Sequence, residues 1–135
     1  MIMNSELEFE PFINYESIVC SFFPEANDKI NAACMGVHFT TTNEVYLHAY
    51  EDTHTKSILT LGTMFSINFS ENFYEYVISA LRRENHDEII DEIPKNSFKK
   101  LEPVPILNSA WCAVICQVIQ MPPALKSTPN PLLRV

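Results

Sequence analysis

The run Tyr50-Glu51-Asp52-Thr53-His54-Thr55-Lys56-Ser57 gathers three hydroxyls, an imidazole and an ammonium within five residues. It stands where a short helix over residues 53–62 would begin. Thr53 or Asp52 can cap that first turn by accepting backbone N–H bonds, and Gly62 suits its left-handed end. Lys56 is the sole Lys or Arg between Ile30 and Leu81, yet it falls in the first turn. The helix dipole disfavours a cation there by about 0.3–1 kcal/mol, a local rule broken without visible compensation. Free N–H groups, Thr53, Thr55, Ser57, His54 and Lys56 together describe an anion cradle of phosphate type. The same residues also read as a capped surface helix with an exposed lysine, because dipole effects are small and screened.

The flanking segments must hold that run in place. Residues 44–50 before it and 64–69 after it read as strands. Upstream, residues 15–23 are β-branched and aromatic and stop at Pro24, and residues 30–41 form a second, long strand. Asn27-Asp28 occupies a natural hairpin position between them. Residues 73–81 read as a helix with Phe73, Val77 and Leu81 beside Tyr74 and Ile78 on the helical period, capped by Ser70 or Asn72. A charged stretch over residues 84–100 carries a helix-like acidic piece ending before Pro94. Residues 110–121 form the most apolar strand, expected to be buried on both faces. Consecutive strands at short spacing point to an antiparallel meander closing toward a barrel. Of two glycines, Gly36 lies in mid-strand, where it marks a bulge, a barrel bend or a close approach of ligand or backbone.

Composition narrows the function. The chain has 135 residues, 47% apolar and 19% charged, which fits one folded domain rather than disorder. A net charge of −8 argues against a nucleic-acid partner, which needs a basic face. An anionic small ligand remains compatible, because a local site can oppose the global field. Residues 1–12 carry three acidic residues and no basic one, opposite to a secretory leader. The longest apolar run, residues 110–119, is about half a membrane span. A soluble, cytoplasmic protein is the expectation. Cys20, Cys34, Cys112 and Cys116 form no C-x-x-C pair and read as core thiols in a reducing compartment rather than metal ligands.

Two glycines cannot supply a nucleotide-binding fingerprint, and neither a G-x-S-x-G elbow nor an H-E-x-x-H motif occurs. His38 and His48 can line a pocket but have no evident carboxylate partner. No nucleophile–base pair stands out. The residues argue for a binding pocket more than for side-chain catalysis.

Three segments in order carry a resemblance: Y-E-S-I-V-C-S-F (15–22), I-N-A-A-C-M-G-V (30–37) and Y-L-H-A-Y-E-D-T-H-T-K-S-I-L-T-L-G-T-M-F-S-I-N (46–68). The chain resembles the FMN-binding split-barrel superfamily, which includes flavin reductase-like proteins. Within it the likeness is nearest to a prokaryotic, mainly archaeal flavoprotein family known as a domain of unknown function. The resemblance implies a mainly β fold with short helices (α+β), an antiparallel six-stranded split barrel over residues 13–121. Residues 1–12 would be a lead-in and residues 122–135 a proline-rich tail. It also implies site residues. The backbone of Ala33, Cys34, Met35, Gly36 and Val37 would face the isoalloxazine ring, which accounts for Gly36. Thr53, His54, Thr55 and Ser57, with Lys56 nearby, would hold the FMN phosphate. Tyr50 and Glu51 would border the phosphate and ribityl chain, and Asn68 would close the pocket wall. The family pattern usually has proline at Cys34, arginine at His54 and asparagine at Ser57. Relatives tend to continue into a further helical segment where this chain has its proline-rich tail.

The resemblance thus implies an FMN-binding homodimer with flavin at the subunit interface. As an enzyme it would be a flavin reductase-like oxidoreductase using NAD(P)H. Otherwise it would be a non-catalytic flavin carrier or sensor, or a split barrel without cofactor. In the enzyme, the flavin would carry the chemistry and the protein would supply position and electrostatics.

Overall fold

A computed structural model describes residues 10, 13–24, 26–40, 44–48, 58–80, 93–100, 103–119 and 132–134. In chain order these give β1 (Tyr15–Phe23), β2 (Ala26–Phe39), β3 (Val45–His48), β4 (Met64–Ser70) and helix α1 (Phe73–Ala80). A 3-10 turn (Lys95–Ser97), β5 (Phe98–Lys100), β6 (Ile106–Leu107), β7 (Ala110–Gln117) and β8 (Leu132–Arg134) follow. Five antiparallel strands in the order β7-β4-β1-β2-β3 form the main sheet, with the three-residue β8 added beside β3. β5 and β6 pair as a small second sheet.

The main sheet curls into a half-barrel. Strands sit about 4.8 Å apart, so β3 and β7 would stand nearly 20 Å from each other across a flat sheet. Instead Val45 and Leu47 of β3 share one buried cluster with Cys112, Val114 and Cys116 of β7. That cluster is the inner face, built from alternate residues such as Val19, Met35, Val37, Phe65 and Ile67. The outer face carries Ile18, Cys20, Ile30 and Ala32, covered by Ile93, Phe98 and Leu107 and by half-buried Tyr76 and Ile78 of α1.

Several expectations shift. The β1–β2 hairpin turns at Pro24, not at Asn27-Asp28. Phe23 pairs with Ala26 and Phe22 with Ile30, so residues 27–29 bulge out of β2. Gly36 marks no bulge: it pairs with Glu16 inside an unbroken register from Tyr15↔Val37 to Phe22↔Ile30. Gly62 does not end a helix. It holds φ 86° within the turn Thr60–Thr63, whose Thr63 N–H donates to the Thr60 carbonyl at 3.0 Å. β7 is buried on one face only: Cys112, Val114 and Cys116 are enclosed, Ala113 and Ile115 are half-buried, and Trp111 is 55% exposed. Trp111 is the extra residue where the β4–β7 register shifts, and its indole leans on Phe69 with ring centroids 5.7 Å apart.

α1 forms where expected but presents the opposite side. Asn72 Oδ1 accepts the Tyr74 N–H at 3.0 Å, an N-cap, while the Asn72 N–H itself donates to Ser70 Oγ at 2.9 Å. Glu75 and Ser79 are the buried residues, whereas Phe73, Tyr74 and Val77 face outward. A polar bracket turns the helix this way. Glu75 Oε1 accepts from Ser70 Oγ at 3.0 Å and from Ser109 Oγ, and the two serine oxygens lie 2.6 Å apart.

Candidate functional site

Alternation along β2 divides the expected flavin-facing residues. Met35 and Val37 are buried on the inner face, and half-buried Ala33 packs against the same core. Cys34 and Gly36 lie on the outer face, where both are half-buried. Only the outer face therefore offers an accessible strip, one running from Cys34 to Gly36 with Glu16 beside it on β1.

Gly36 leaves a notch in that strip. A Cβ at this position would stand 2.5 Å from Asn14 Oδ1, 3.0 Å from Nδ2 and 3.1 Å from Cγ. The Asn14 carboxamide thus rests in the notch left by the absent side chain. Asn14 itself is exposed. Next to the notch the Cys34 thiol donates to Glu16 Oε2 at 3.6 Å. Burial pushes the Cys34 thiol up to about 11, and the Glu16 carboxylate adds to the effect. At neutral pH it is a protonated donor, not a nucleophile. Tyr76 of α1 borders the same group. Burial raises its phenol, and the Ser70 N–H bonded to it at 2.9 Å works in the other direction.

Asn68 occupies a different setting. It is fully buried on the outer face of β4. Its Nδ2 donates to the Ile18 carbonyl at 3.1 Å and to Ser66 Oγ at 2.8 Å, and its Oδ1 accepts the Leu107 N–H at 3.1 Å. Ser66 in turn donates to the Pro105 carbonyl at 2.6 Å. This network bolts the β6 segment across β4 and commits both amide hydrogens of Asn68 to protein.

Tyr50, Glu51, Thr53, His54, Thr55, Lys56 and Ser57 lie outside the described residues, so the phosphate cradle does too. The strand leading to it is described. Leu47 pairs with Val37, and β3 continues one residue to His48. The chain therefore leaves the sheet at the level of Gly36. The described chain resumes at Ile58 and Leu59, both buried, and re-enters the sheet at Met64. His38, expected as a pocket residue, stacks on Tyr46 with centroids 5.1 Å apart. All four cysteines are free, and Cys34 alone is not fully buried. Among the described residues no group of three or more His, Cys, Asp or Glu could hold a metal ion. No helix among them is long and apolar enough to cross a membrane.

Residues 15–133 match the family model described as the N-terminal domain of a protein of unknown function, DUF447. The chain belongs to that family. The match takes in every described strand from β1 through β7, together with the run that leaves β3 beside Gly36. No curated protein matches the chain.

Asn14, Glu16 and Tyr76 escaped the sequence reading of the site. Asn14 falls between the lead-in and the first strand, where no motif singles it out, and its partner is 22 residues away. Only the β1–β2 register brings the two together, and that register depends on a three-residue bulge that no turn motif announces.

Proposed function

We propose that this domain binds FMN on the outer face of the half-barrel, with the ring over the Cys34–Gly36 strip and the phosphate in the Thr53–Ser57 run. One observation carries the reading. β3 ends beside Gly36, so the segment that carries the expected phosphate run departs from the sheet at the level of the expected ring site. The residues present fit a flavin at the ring end: a half-exposed strip, a glycine, and polar groups at Asn14, Glu16 and Cys34. Thr53, Thr55 and Ser57 would donate hydroxyl bonds to phosphate, with His54 and Lys56 adding positive charge and Tyr50 and Glu51 flanking. Asn68 contributes as a wall that fixes β4 rather than through its amide.

The bound flavin would supply hydride chemistry, and a reductase-like activity with NAD(P)H follows from this reading. The protein's own part is binding, orientation and exclusion of water. A non-catalytic flavin carrier or sensor is the second reading.

A homodimer with flavin at the interface completes the proposal. Trp111 and the Phe73, Tyr74 and Val77 side of α1 are apolar and uncovered, and a second copy is the commonest cover for such surface. Purification tests all of this. A yellow protein of about twice 15.5 kDa by light scattering, bleached by NADH or NADPH, is expected for the reductase. A yellow protein that does not bleach supports the carrier. A colourless protein that takes up no added FMN ends both flavin readings.

A further inference from the structure

We infer that Asn14 is the residue that reads the hydrogen-bonding edge of the ring, and that Gly36 serves to seat it. This rests on the flavin reading above and deepens it. The carboxamide is held over the β2 backbone, with Oδ1 only 2.5 Å from where a Gly36 Cβ would be. A flat ring approaching the strip meets this side chain before it meets Gly36. Among the described residues no hydrogen bond engages the Asn14 side chain, although it stands beside the Cys34–Glu16 pair.

A carboxamide carries two donor hydrogens and an acceptor oxygen in one plane. The pyrimidine edge of an isoalloxazine presents carbonyl, N–H and carbonyl in one plane. The two match as donor to acceptor and acceptor to donor. Neither Cys34 nor Glu16 offers both. The Cys34 thiol is given to Glu16, and Glu16 as a carboxylate only accepts. Asn14 is thus a specificity residue for a planar ligand with an imide-type edge. Its position comes from the neighbouring strand through the Glu16↔Gly36 register.

The test compares binding of lumiflavin and N3-methyl-lumiflavin by full-length wild type, Asn14→Ala, Gly36→Ala and the Asn14→Ala/Gly36→Ala double variant. Lumiflavin has the ring without ribityl or phosphate, so the cradle plays no part. Titration of ring fluorescence gives affinity, and thermal melting controls for folding. Wild type should prefer lumiflavin over its methylated form by about 3- to 10-fold, the worth of one neutral hydrogen bond. Asn14→Ala should lose that preference with little change in melting. Gly36→Ala should lose it too, and adding it to Asn14→Ala should have no further effect on preference, because the two act as a unit. Equal preference in wild type and Asn14→Ala overturns the inference while leaving flavin binding intact. A lower melting point with equally weakened binding of both ligands also overturns it, by assigning Asn14 to packing. Wild type that binds neither lumiflavin nor FMN overturns the inference together with the reading beneath it.

Discussion

The outer face of the sheet has two polar regions that differ in how far their hydrogen bonds are used up. On β4, Asn68 and Ser66 are fully buried and bonded to Ile18, Leu107 and Pro105. Glu75 is closed off in the same way by Ser70 and Ser109. On β1 and β2, Asn14 is exposed, Gly36 and Cys34 are half-buried, and the contact between Cys34 and Glu16 is a long one at 3.6 Å. Buried polar groups must find partners, so saturation marks a structural role. Leftover capacity at an accessible strip is what a ligand can use. Polar residue type alone does not separate the two regions, since both contain an asparagine and a carboxylate.

Substituting the closed region gives the largest effect. Asn68→Ala removes three hydrogen bonds and leaves the Leu107 N–H and Ile18 carbonyl without their side-chain partner. A loss of about 2–4 kcal/mol is expected. It should appear as a lower urea midpoint with an unchanged slope. A midpoint within error of wild type would mean that Asn68 is not a bolt.

The open region should answer in binding instead. On the proposed reading, replacing Thr53 and Thr55 together by alanine would remove two bonds to the FMN phosphate, each worth about 1.5–3 kcal/mol. FMN affinity should fall well over tenfold and riboflavin affinity far less, with little change in stability. Equal losses for both ligands would show that the phosphate lies elsewhere.

What could be read from the sequence follows this division. The strands β1 to β4, the cap at Asn72 and the apolar inner face announce themselves through alternation, turn residues and local capping. The short β5, β6 and β8 do not, because two or three residues carry no period. α1 misleads for a physical reason. Its apolar residues follow the helical period, but Ser70 and the sequence-distant Ser109 capture Glu75 and turn that side outward. Gly36 could be recognised as a close approach but not what approaches, since Asn14 reaches it only across a bulged hairpin.

Glu75 allows a finer cut through the closed region. Glu75→Gln keeps size and one acceptor oxygen but exchanges the other for an amine. Oε1 alone serves Ser70 and Ser109, so one orientation of the amide preserves both bonds. The cost should be about 1 kcal/mol, the difference between a charged and a neutral acceptor. Glu75→Ala should cost more, because it takes away the acceptor that both hydroxyls share and leaves them only each other. Identical thermal midpoints for the two variants would show that the bracket contributes only through packing.

The smallest effect belongs to the open region and depends on pH. Burial and then Glu16 raise the Cys34 thiol from 9.0 to about 11 in the folded protein. Folding therefore favours the protonated thiol. Below pH 9 both states hold the proton and the contribution is fully present. Between pH 9 and about 11 the unfolded chain releases its proton first, so stability falls as pH rises. Solvent screening at this partly exposed site keeps the change to a few tenths of a kcal/mol, roughly the scale of exposed pairs. Other groups titrate in the same window, so the measurement must be a difference. Cys34→Ser retains a donor toward Glu16 but does not ionise there. The thermal midpoint of wild type should decline relative to Cys34→Ser from pH 9 to 11 and run parallel below pH 9. A flat difference across the window would mean that the thiol feels water rather than the sheet, and the strip would be more open than its half-burial implies. A steep one would place Cys34 with the closed region, leaving Asn14 and Gly36 as the accessible part.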